Sequence, residues 1–270
     1  ASDQPWLCAW CYRCYKNCNQ ALKLPEIINY IRTTAVEQGY TQPFEEALQK
    51  IIEHVPLPLV TLSVCFHPER AGLDKKEILE KAEKIQEELK TKKRKHAKSV
   101  KGKTAIIGSG PAGLTVAYEL GRKGYAGTVF ETLPELGGML RKCVPENRLQ
   151  KDVLNKEIQL IKDMGVEVKT GATVESFDGL WKEGYTAIFV GTGAHKSHKL
   201  RLEGEDLTGV MHAIEFLWHV NSGEKVEIGK NAVVVGGGNV AVDAARTALS
   251  FGAKEVAILY RRSREEMPAN

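Results

Sequence analysis

The stretch Lys103-Thr-Ala-Ile-Ile-Gly-Ser-Gly-Pro-Ala-Gly-Leu114 decides the fold of this chain of 270 residues. Its apolar run at 105–107 predicts a short buried strand that leads directly into Gly108-x-Gly110-x-x-Gly113. The first glycine allows a tight turn, the second lets the backbone approach a pyrophosphate, and the third lets a helix pack closely on the strand. A helix that begins here also presents free N–H groups and the positive end of its dipole to a phosphate.

The residues after this segment, which we call the first glycine loop (108–113), supply the context that the motif requires. Their apolar periodicity predicts a helix to about Lys123, and 127–131 predicts a second strand that ends on Glu131. A carboxylate here, 18 residues past Gly113, can accept a hydrogen bond from a ribose 2′-OH. We therefore predict a dinucleotide site, because a glycine-rich turn alone would not place strand, turn, helix, strand and acid in register.

A second stretch, Asn231-Ala-Val-Val-Val-Gly-Gly-Gly-Asn-Val-Ala241, repeats this arrangement with alanine as the third small residue. We call its residues 236–241 the second glycine loop, and predict a helix to about Phe251 and a strand at 255–260. That strand ends on Arg261-Arg262 and not on an acid. Guanidinium groups at this position pair with a 2′-phosphate, which favours NADP(H) over NAD(H); two arginines that merely face solvent are the alternative.

The composition is ordinary for a soluble globular protein, with 43% apolar and 27% charged residues. We find no apolar run of about 18 residues that predicts a membrane span, and no secretory signal at the N-terminus. The net charge of +4 comes from one segment, because residues 90–103 contain eight Lys or Arg and no acid. The rest of the chain has 30 basic and 34 acidic residues. We therefore expect a cytoplasmic protein without a nucleic-acid-binding surface.

Four of the six cysteines form the run Cys8-x-x-Cys11-x-x-Cys14-x-x-x-Cys18. Thiolates at this spacing converge on an iron–sulfur cluster, although Asn19 stands where a proline often follows such a run. A disulfide framework lacks the export signal that would support it, and zinc sites favour paired Cys-x-x-Cys knuckles with a longer gap. Iron–sulfur is the leading interpretation, with zinc and inert thiols as the alternatives.

Helical patterns near 25–38 and 43–54 separate this run from Cys65, which is either a further ligand or a small buried apolar residue. Asp74-x-x-Glu77 then predicts the start of a surface helix. Its apolar stripe consists of Ile78, Ala82, Ile85 and Leu89, and the basic run after the stripe predicts a solvated linker.

Between the two glycine loops, Gly137-Gly138 indicates a turn and Gly191-Thr-Gly193 follows a predicted strand. We predict helices at 150–164 and 212–220, and strands at 166–168 and 187–190. Cys143 has no second cysteine near it in the chain, which favours buried packing over a dithiol relay.

These features together resemble the glutamate synthase small (beta) subunit-like family of FAD and NAD(P)H oxidoreductases. This family includes NADPH:ferredoxin transhydrogenase large subunits and the N-terminal half of dihydropyrimidine dehydrogenase. The most specific motifs are Gly236-Gly-Gly-Asn-Val-Ala-Val-Asp-Ala-Ala-Arg246 and Tyr260-Arg-Arg-Ser-Arg-Glu-Glu-Met-Pro-Ala269. The cysteine run, the first glycine loop, Gly137-Gly-Met-Leu140, Val144-Pro-Glu-Asn-Arg-Leu149 and Gly191-Thr-Gly-Ala194 also carry the resemblance.

The resemblance implies FAD on the first glycine loop, NADP(H) on the second, and a 4Fe-4S cluster in the cysteine-rich head. By position, the FAD contacts would be Gly108, Gly110, Pro111, Ala112, Gly113, Glu131, Gly138, Leu140, Arg148 and Gly193. The NADP(H) contacts would be Gly236, Gly238, Asn239, Val240, Arg261 and Arg262. The cluster ligands would be Cys8, Cys11 and Cys14, with Cys18 or Cys65 as the fourth.

The sequence also departs from the family pattern. His67-Pro-Glu-Arg70 stands where the family has His-Pro-Cys-Glu, so five cysteines remain in the head and we expect one 4Fe-4S cluster. The chain ends at Asn270, where relatives continue and return a Gly-Asp motif to the flavin. We therefore expect a fragment, or a chain that another polypeptide completes.

We predict an α/β protein with a Rossmann-type FAD domain, an inserted Rossmann-type NAD(P) domain and a small α-helical iron–sulfur domain in front of them. The expected parts are a head at 1–72, a charged helix and linker at 73–103, the first part of the FAD domain at 104–228, and an incomplete NAD(P) domain at 229–270.

The resemblance implies an enzyme: an electron-transfer subunit of a hetero-oligomeric oxidoreductase. Electrons would pass between NADPH, FAD and the 4Fe-4S cluster, to or from a partner subunit or ferredoxin. The alternatives are a ferredoxin-driven NADP+ reductase or transhydrogenase, and a structural redox subunit with vestigial nucleotide sites. No acid–base catalytic residue is predicted.

Overall fold

The computed structural model describes residues 24–39, 42–64, 72–93, 102–197 and 199–269. The cysteines predicted as cluster ligands, Cys8, Cys11, Cys14, Cys18 and Cys65, lie outside these ranges. The helices are α1 (Leu24–Glu37), α2 (Gln42–His54), α3 (Pro58–Val64), α4 (Lys75–Lys93), α5 (Pro111–Arg122), α6 (Met139–Lys142), α7 (Lys151–Asp163), α8 (Phe177–Lys182), α9 (Ala213–Asn221) and α10 (Asn239–Ser250). The strands are β1 (Lys103–Ile107), β2 (Ala126–Glu131), β3 (Glu167–Thr170), β4 (Ala187–Val190), β5 (Asn231–Val235) and β6 (Glu255–Leu259).

A parallel sheet in the order β3-β2-β1-β4 forms the centre of the fold. Strand β1 pairs with β2 on one side and with β4 on the other. Its side chains alternate between two buried faces: Ile106 packs with Leu114 of α5, and Ala105 packs with Leu180 of α8. Because the chain leaves β1 towards β2 on one side and returns as β4 on the other, a crevice opens at the carboxyl end of β1.

The helices near the N-terminus share a continuous apolar core with the sheet. Leu48 of α2, Leu59 of α3 and Ala82 of α4 belong to the same buried cluster as Ile106 of β1 and Leu154 of α7. Helix α4 is capped by Asp74, whose carboxylate accepts from the N–H groups of the first turn. The helix continues to Lys93 and so includes the start of the predicted linker, because lysine itself favours helix.

A buried carboxylate joins this helical layer to the sheet layer. Glu157 of α7 is fully buried, and its Oε1 accepts from the Leu59 N–H of α3 at 2.7 Å. The same oxygen accepts from Gln86 Nε2 of α4 at 3.4 Å. An ion pair between Lys156 and Glu83 adds a contact of 2.8 Å at the surface.

Strands β5 and β6 form a separate two-stranded parallel sheet. One face packs against α9 and α10 through Val234, Phe216 and Ala244. Val233 and Val235 lie on either side of Val234 in β5 and are exposed on the opposite face of the sheet, as the two-residue period of a strand requires. The strand–loop–helix–strand order predicted around the second glycine loop is therefore present.

The predicted α/β class and the parallel βαβ units are thus observed. No helix within the described ranges combines the length and the apolar character needed to span a bilayer.

Candidate functional site

The first glycine loop lies at the carboxyl end of β1, beside the crevice. Gly108 has φ +98°, and a Cβ there would lie 2.4 Å from the Gly191 carbonyl oxygen. A Cβ on Gly113 would lie 1.9 Å from the Gly108 carbonyl oxygen. Only glycine fits at these two positions, because backbone atoms of neighbouring segments occupy the space that a Cβ would take.

Gly110 is different, because nothing lies within 4 Å of the position that its Cβ would take. It is the N-cap of α5 and receives no side-chain cap. Pro111 and Ala112 follow in the first turn and are exposed. The loop therefore presents an open helix N-terminus with room for a group to approach the backbone, which is the arrangement that binds phosphate.

Glu131, at the end of β2, is buried against this loop. Its Oε2 accepts from the Ser109 N–H at 3.0 Å and from the Ser109 hydroxyl at 2.5 Å. Its Oε1 accepts from the Leu133 N–H at 2.9 Å. A carboxylate has about four acceptor positions, so these three donors fix Glu131 and leave it capacity for one ligand hydroxyl.

The Gly137-Gly138 turn closes over the first glycine loop. The Gly137 N–H donates to the carbonyl and hydroxyl oxygens of Ser109, at 3.1 and 3.0 Å. Gly138 has φ +50°, and its Cβ would lie 2.9 Å from the Gly110 Cα. Leu140, which follows in α6, packs into the main apolar core.

The third wall of the crevice is the end of β4. The Gly191 N–H donates to the Ile107 carbonyl at 2.8 Å, so this segment continues the pairing with β1. Gly193 has φ +77°, and its Cβ would lie 3.3 Å from His195 Nε2. The structure thus brings the first glycine loop, Glu131, Gly138 and Gly193 to one end of the sheet.

Arg148 makes contacts that the sequence did not predict. Its Nη1 donates to Asp243 Oδ2 of α10 at 2.6 Å, and its Nη2 donates to the Val64 carbonyl of α3 at 3.4 Å. Burial raises the pKa of Asp243 above its ordinary value, although the charges of Arg148 and Arg246 act in the opposite direction. Asp243 could have been flagged from sequence, because a carboxylate among buried alanines needs a partner.

The second glycine loop has the same form as the first. Gly238 is the N-cap of α10, receives no side-chain cap, and has nothing within 4 Å of a Cβ position. Gly236 has φ +140°. Asn239 and Val240 follow as the first residues of α10, and Val240 is exposed.

Tyr260 and the arginine pair lie at the carboxyl end of β6, next to this loop. A Cβ on Gly237 would lie 2.7 Å from the Tyr260 ring. Arg261 and Arg262 are exposed, and within the described part of the chain no ion pair holds either guanidinium group. Both are therefore available to an anionic ligand.

Cys143 is buried in the cluster between α6 and α9, with its Sγ 3.8 Å from the Ile214 carbonyl oxygen. Burial raises the pKa of its thiol to about 11. The predicted role of Cys143 as a buried packing residue is confirmed.

A cavity of about 400 Å³ lies beside the crevice and is lined by His195, Ser197, His212, Ile214, Glu215, Trp218 and His219. It contains neither glycine loop. Within the described residues, no group of three or more histidine, cysteine or acidic side chains is arranged to hold a metal ion.

Comparison with known proteins gives similarities over most of the chain. The beta subunit of NADP(+)-dependent formate dehydrogenase from Moorella thermoacetica is 35% identical over 95% of this chain and 40% of that protein. The small chain of glutamate synthase (NADPH) from Escherichia coli is 38% identical over 62% of this chain and 38% of that protein. The predicted resemblance to the glutamate synthase small subunit is therefore confirmed, and the chain spans about two fifths of the length of these relatives.

Among solved structures, FprA from Mycobacterium tuberculosis in complex with NADPH superimposes with a TM-score of 0.54 and 26% identity, over 62% of this chain and 45% of that one. Residues 102–269, which include both glycine loops, match the family described as pyridine nucleotide-disulphide oxidoreductase. The chain belongs to this family.

Proposed function

We propose that this chain belongs to an electron-transfer subunit of an NADPH-dependent oxidoreductase. FAD binds at the first glycine loop, NADP(H) binds at the second, and a 4Fe-4S cluster lies in the cysteine-rich head. Electrons pass between these groups and a partner subunit.

The observation that carries this proposal is the pair of open helix N-termini. Gly110 and Gly238 each cap a helix of 12 residues at the carboxyl end of a parallel strand. At both, the space that a Cβ would fill is empty of protein atoms. Two such loops in one chain suit two dinucleotides, because each helix N-terminus can bind one pyrophosphate.

The charges beside the loops support a different nucleotide at each loop. Glu131 is held by Ser109 at the first loop, where a carboxylate suits a ribose hydroxyl and repels a 2′-phosphate. Arg261 and Arg262 follow β6 at the second loop, where guanidinium groups suit a 2′-phosphate. FAD, which has no 2′-phosphate, therefore belongs at the first loop and NADP(H) at the second.

The protein residues bind and orient these groups, and the reactive chemistry comes from the cofactors. Bound flavin supplies the ability to take two electrons from NADPH as a hydride and to release them singly. The first glycine loop and the Gly137-Gly138 turn hold the flavin nucleotide, with Gly193 at the far wall of the crevice. The remaining FAD contacts that we propose are Pro111, Ala112, Leu140 and Arg148; for NADP(H) they are Gly236, Asn239 and Val240.

The cluster and the partner are supported by sequence and by relatives. The spacing of Cys8, Cys11 and Cys14 suits a 4Fe-4S cluster, with Cys18 or Cys65 as the fourth ligand. Cys65 directly follows Val64, whose carbonyl accepts from Arg148. The relatives are named as a beta subunit and a small chain, which favours a hetero-oligomer.

The test is the cofactor content of the full-length protein, purified without oxygen together with its partner. We expect about one FAD and about four iron and four sulfide ions per chain if one cluster is bound. The visible spectrum should show flavin bands and a broad shoulder that dithionite bleaches. Protein that is folded but contains neither flavin nor iron would refute the proposal.

A further inference from the structure

One segment of the chain contacts both the first glycine loop and the helix that follows the second glycine loop. It begins at the Gly137-Gly138 turn, where a Cβ on Gly138 would lie 2.9 Å from the Cα of Gly110. It continues through α6 and ends at Arg148, just before α7. We call residues 137–148 the connecting segment.

At its far end, this segment is bound to the helix of the second glycine loop. Arg148 Nη1 and Asp243 Oδ2 are 2.6 Å apart, and Asp243 lies on α10, the helix that Gly238 caps. The side chains of Arg148 and Asp243 are only 19% and 10% exposed. The pair is therefore short and largely shielded from solvent, unlike an ion pair at the surface.

Other contacts also hold the connecting segment, but they fix its position relative to α10 less strictly. Asn221 of α9 donates from Nδ2 to the Lys142 and Val144 carbonyls, at 3.0 and 3.2 Å. Cys143 packs in an apolar cluster with Ala244 and Ala248 of α10. Small apolar side chains hold two surfaces together without selecting one relative position. Within this contact to α10, the ion pair supplies the directional bond.

The energetics favour a geometric role for the pair. Burial raises the pKa of Asp243 even though Arg148 lies beside it, so the attraction does not fully offset the loss of hydration. Buried ion pairs often contribute little net stability, and fixing one arrangement over others is their best-attested use.

We propose that Arg148 and Asp243 are positioning residues: their ion pair fixes α10 relative to the connecting segment, and so sets how the nucleotide on the second glycine loop meets the group on the first. This inference rests on the proposed function. It also gives Arg148 a role that does not require contact with the flavin.

The test uses Asp243→Ala in the full-length protein, because Asp243 is not among the proposed cofactor contacts. We expect the limiting rate of flavin reduction at saturating NADPH, measured by anaerobic stopped flow, to fall about tenfold to a hundredfold. Flavin content and the dissociation constant for NADPH should stay close to those of the wild type. Asp243→Asn keeps an acceptor oxygen and should restore part of the rate.

The matched control is Asp206→Ala. Asp206 forms an ion pair of 2.9 Å with Lys199, but its side chain is 88% exposed. Its loss should leave the rate unchanged. If Asp243→Ala does not fold, Asp243→Asn tests the same pair without changing Arg148, and a rate of flavin reduction below that of the wild type supports the inference.

An Asp243→Ala protein that is folded and reduced at the wild-type rate would overturn the inference. So would loss of flavin in Arg148→Met with no effect of Asp243→Ala, because Arg148 would then act on the flavin alone. Failure of the wild-type protein to bind flavin or to be reduced by NADPH is a different result: it would overturn the proposed function itself.

Discussion

At the scale of single residues, Gly110 and Gly113 show that the same amino acid serves two purposes within one loop. Gly113 is required by the protein, because its Cβ would lie 1.9 Å from a backbone oxygen. Gly110 leaves open space, so we propose that a ligand is the reason for glycine at this position. The motif predicts both glycines, but only the structure separates the two reasons.

We predict that Gly110→Ala folds normally and loses affinity for flavin. The added methyl group meets no protein atom within 4 Å, but it would keep the pyrophosphate from the backbone and weaken a charge-assisted hydrogen bond worth about 1.5–3 kcal/mol. Flavin affinity should therefore fall by about tenfold to a hundredfold, as measured by equilibrium dialysis. The control is Gly179→Ala, an equally open glycine in α8; equal flavin affinity in both variants would contradict the prediction.

We predict that Arg261→Ala with Arg262→Ala weakens NADPH binding by about tenfold to a hundredfold. NADH binding should barely change, because NADH lacks the 2′-phosphate that the guanidinium groups would pair with. Titration with each nucleotide measures the two affinities. Lys230→Ala with Lys254→Ala removes two exposed charges at the opposite end of the same sheet and serves as the control. An equal loss of affinity for NADPH and NADH would refute the predicted preference for NADPH.

We predict that Cys143 resists alkylation in the folded protein. Its pKa of about 11 leaves about one thiol in a thousand ionised at about pH 8, and burial further blocks the reagent. Iodoacetamide followed by mass spectrometry of the Cys143 peptide measures the rate, with urea-unfolded protein as the control. Rapid alkylation without unfolding would contradict the structure.

The same pKa predicts a pH dependence of stability. The folded value of about 11 exceeds the ordinary value of 9.0, so between these values the folded state binds more protons than the unfolded state. The contribution of Cys143 to the free energy of unfolding therefore decreases as pH rises through this window. The difference between wild type and Cys143→Ala in urea unfolding should show this slope.

At the scale of elements, the sequence predicted helices and strands best where a local pattern of residues determines them. The strand expected at 187–190 is β4, and the helix expected at 150–164 is α7. Hydrophobic periodicity within an element and glycine at its ends are signals that can be read from a few neighbouring residues. The end of α4 was less predictable, because the helix outlasts its apolar stripe and reaches Lys93.

Side-chain partners could not be predicted from local patterns. Arg148 and Asp243 are 95 positions apart, and Glu131 and Ser109 are 22 apart. Both pairs depend on how the sheet and helices pack. Only the fold brings the two members of each pair together.

At the level of packed helices, we predict that Glu157→Ala destabilises the protein by about 1–3 kcal/mol. It removes the buried acceptor of the Leu59 N–H and of Gln86, and so weakens the contact of α3 and α4 with α7. Urea unfolding measures the loss. Glu83→Ala removes only a surface ion pair with the neighbouring Lys156, and should cost less than about 1 kcal/mol. A smaller loss for Glu157→Ala than for Glu83→Ala would contradict this view.

At the scale of the whole molecule, the four parts expected from the sequence are joined more closely than the sequence suggests. Helices α2 to α4 share one apolar core with β1 and α7, and Arg148 contacts both α3 and α10. The part that follows the cysteine run therefore packs directly on the sheet that carries the first glycine loop.

We propose that the two glycine loops hold two different nucleotides that exchange electrons. The most direct measurement is anaerobic reduction of the full-length protein by NADPH, followed at the flavin absorbance, for wild type, Gly110→Ala and Gly238→Ala. We predict rapid bleaching in the wild type and loss of flavin from Gly110→Ala. In Gly238→Ala we predict retained flavin that dithionite reduces but low concentrations of NADPH do not. Loss of flavin from Gly238→Ala with normal NADPH binding, or wild-type reduction in both variants, would contradict it.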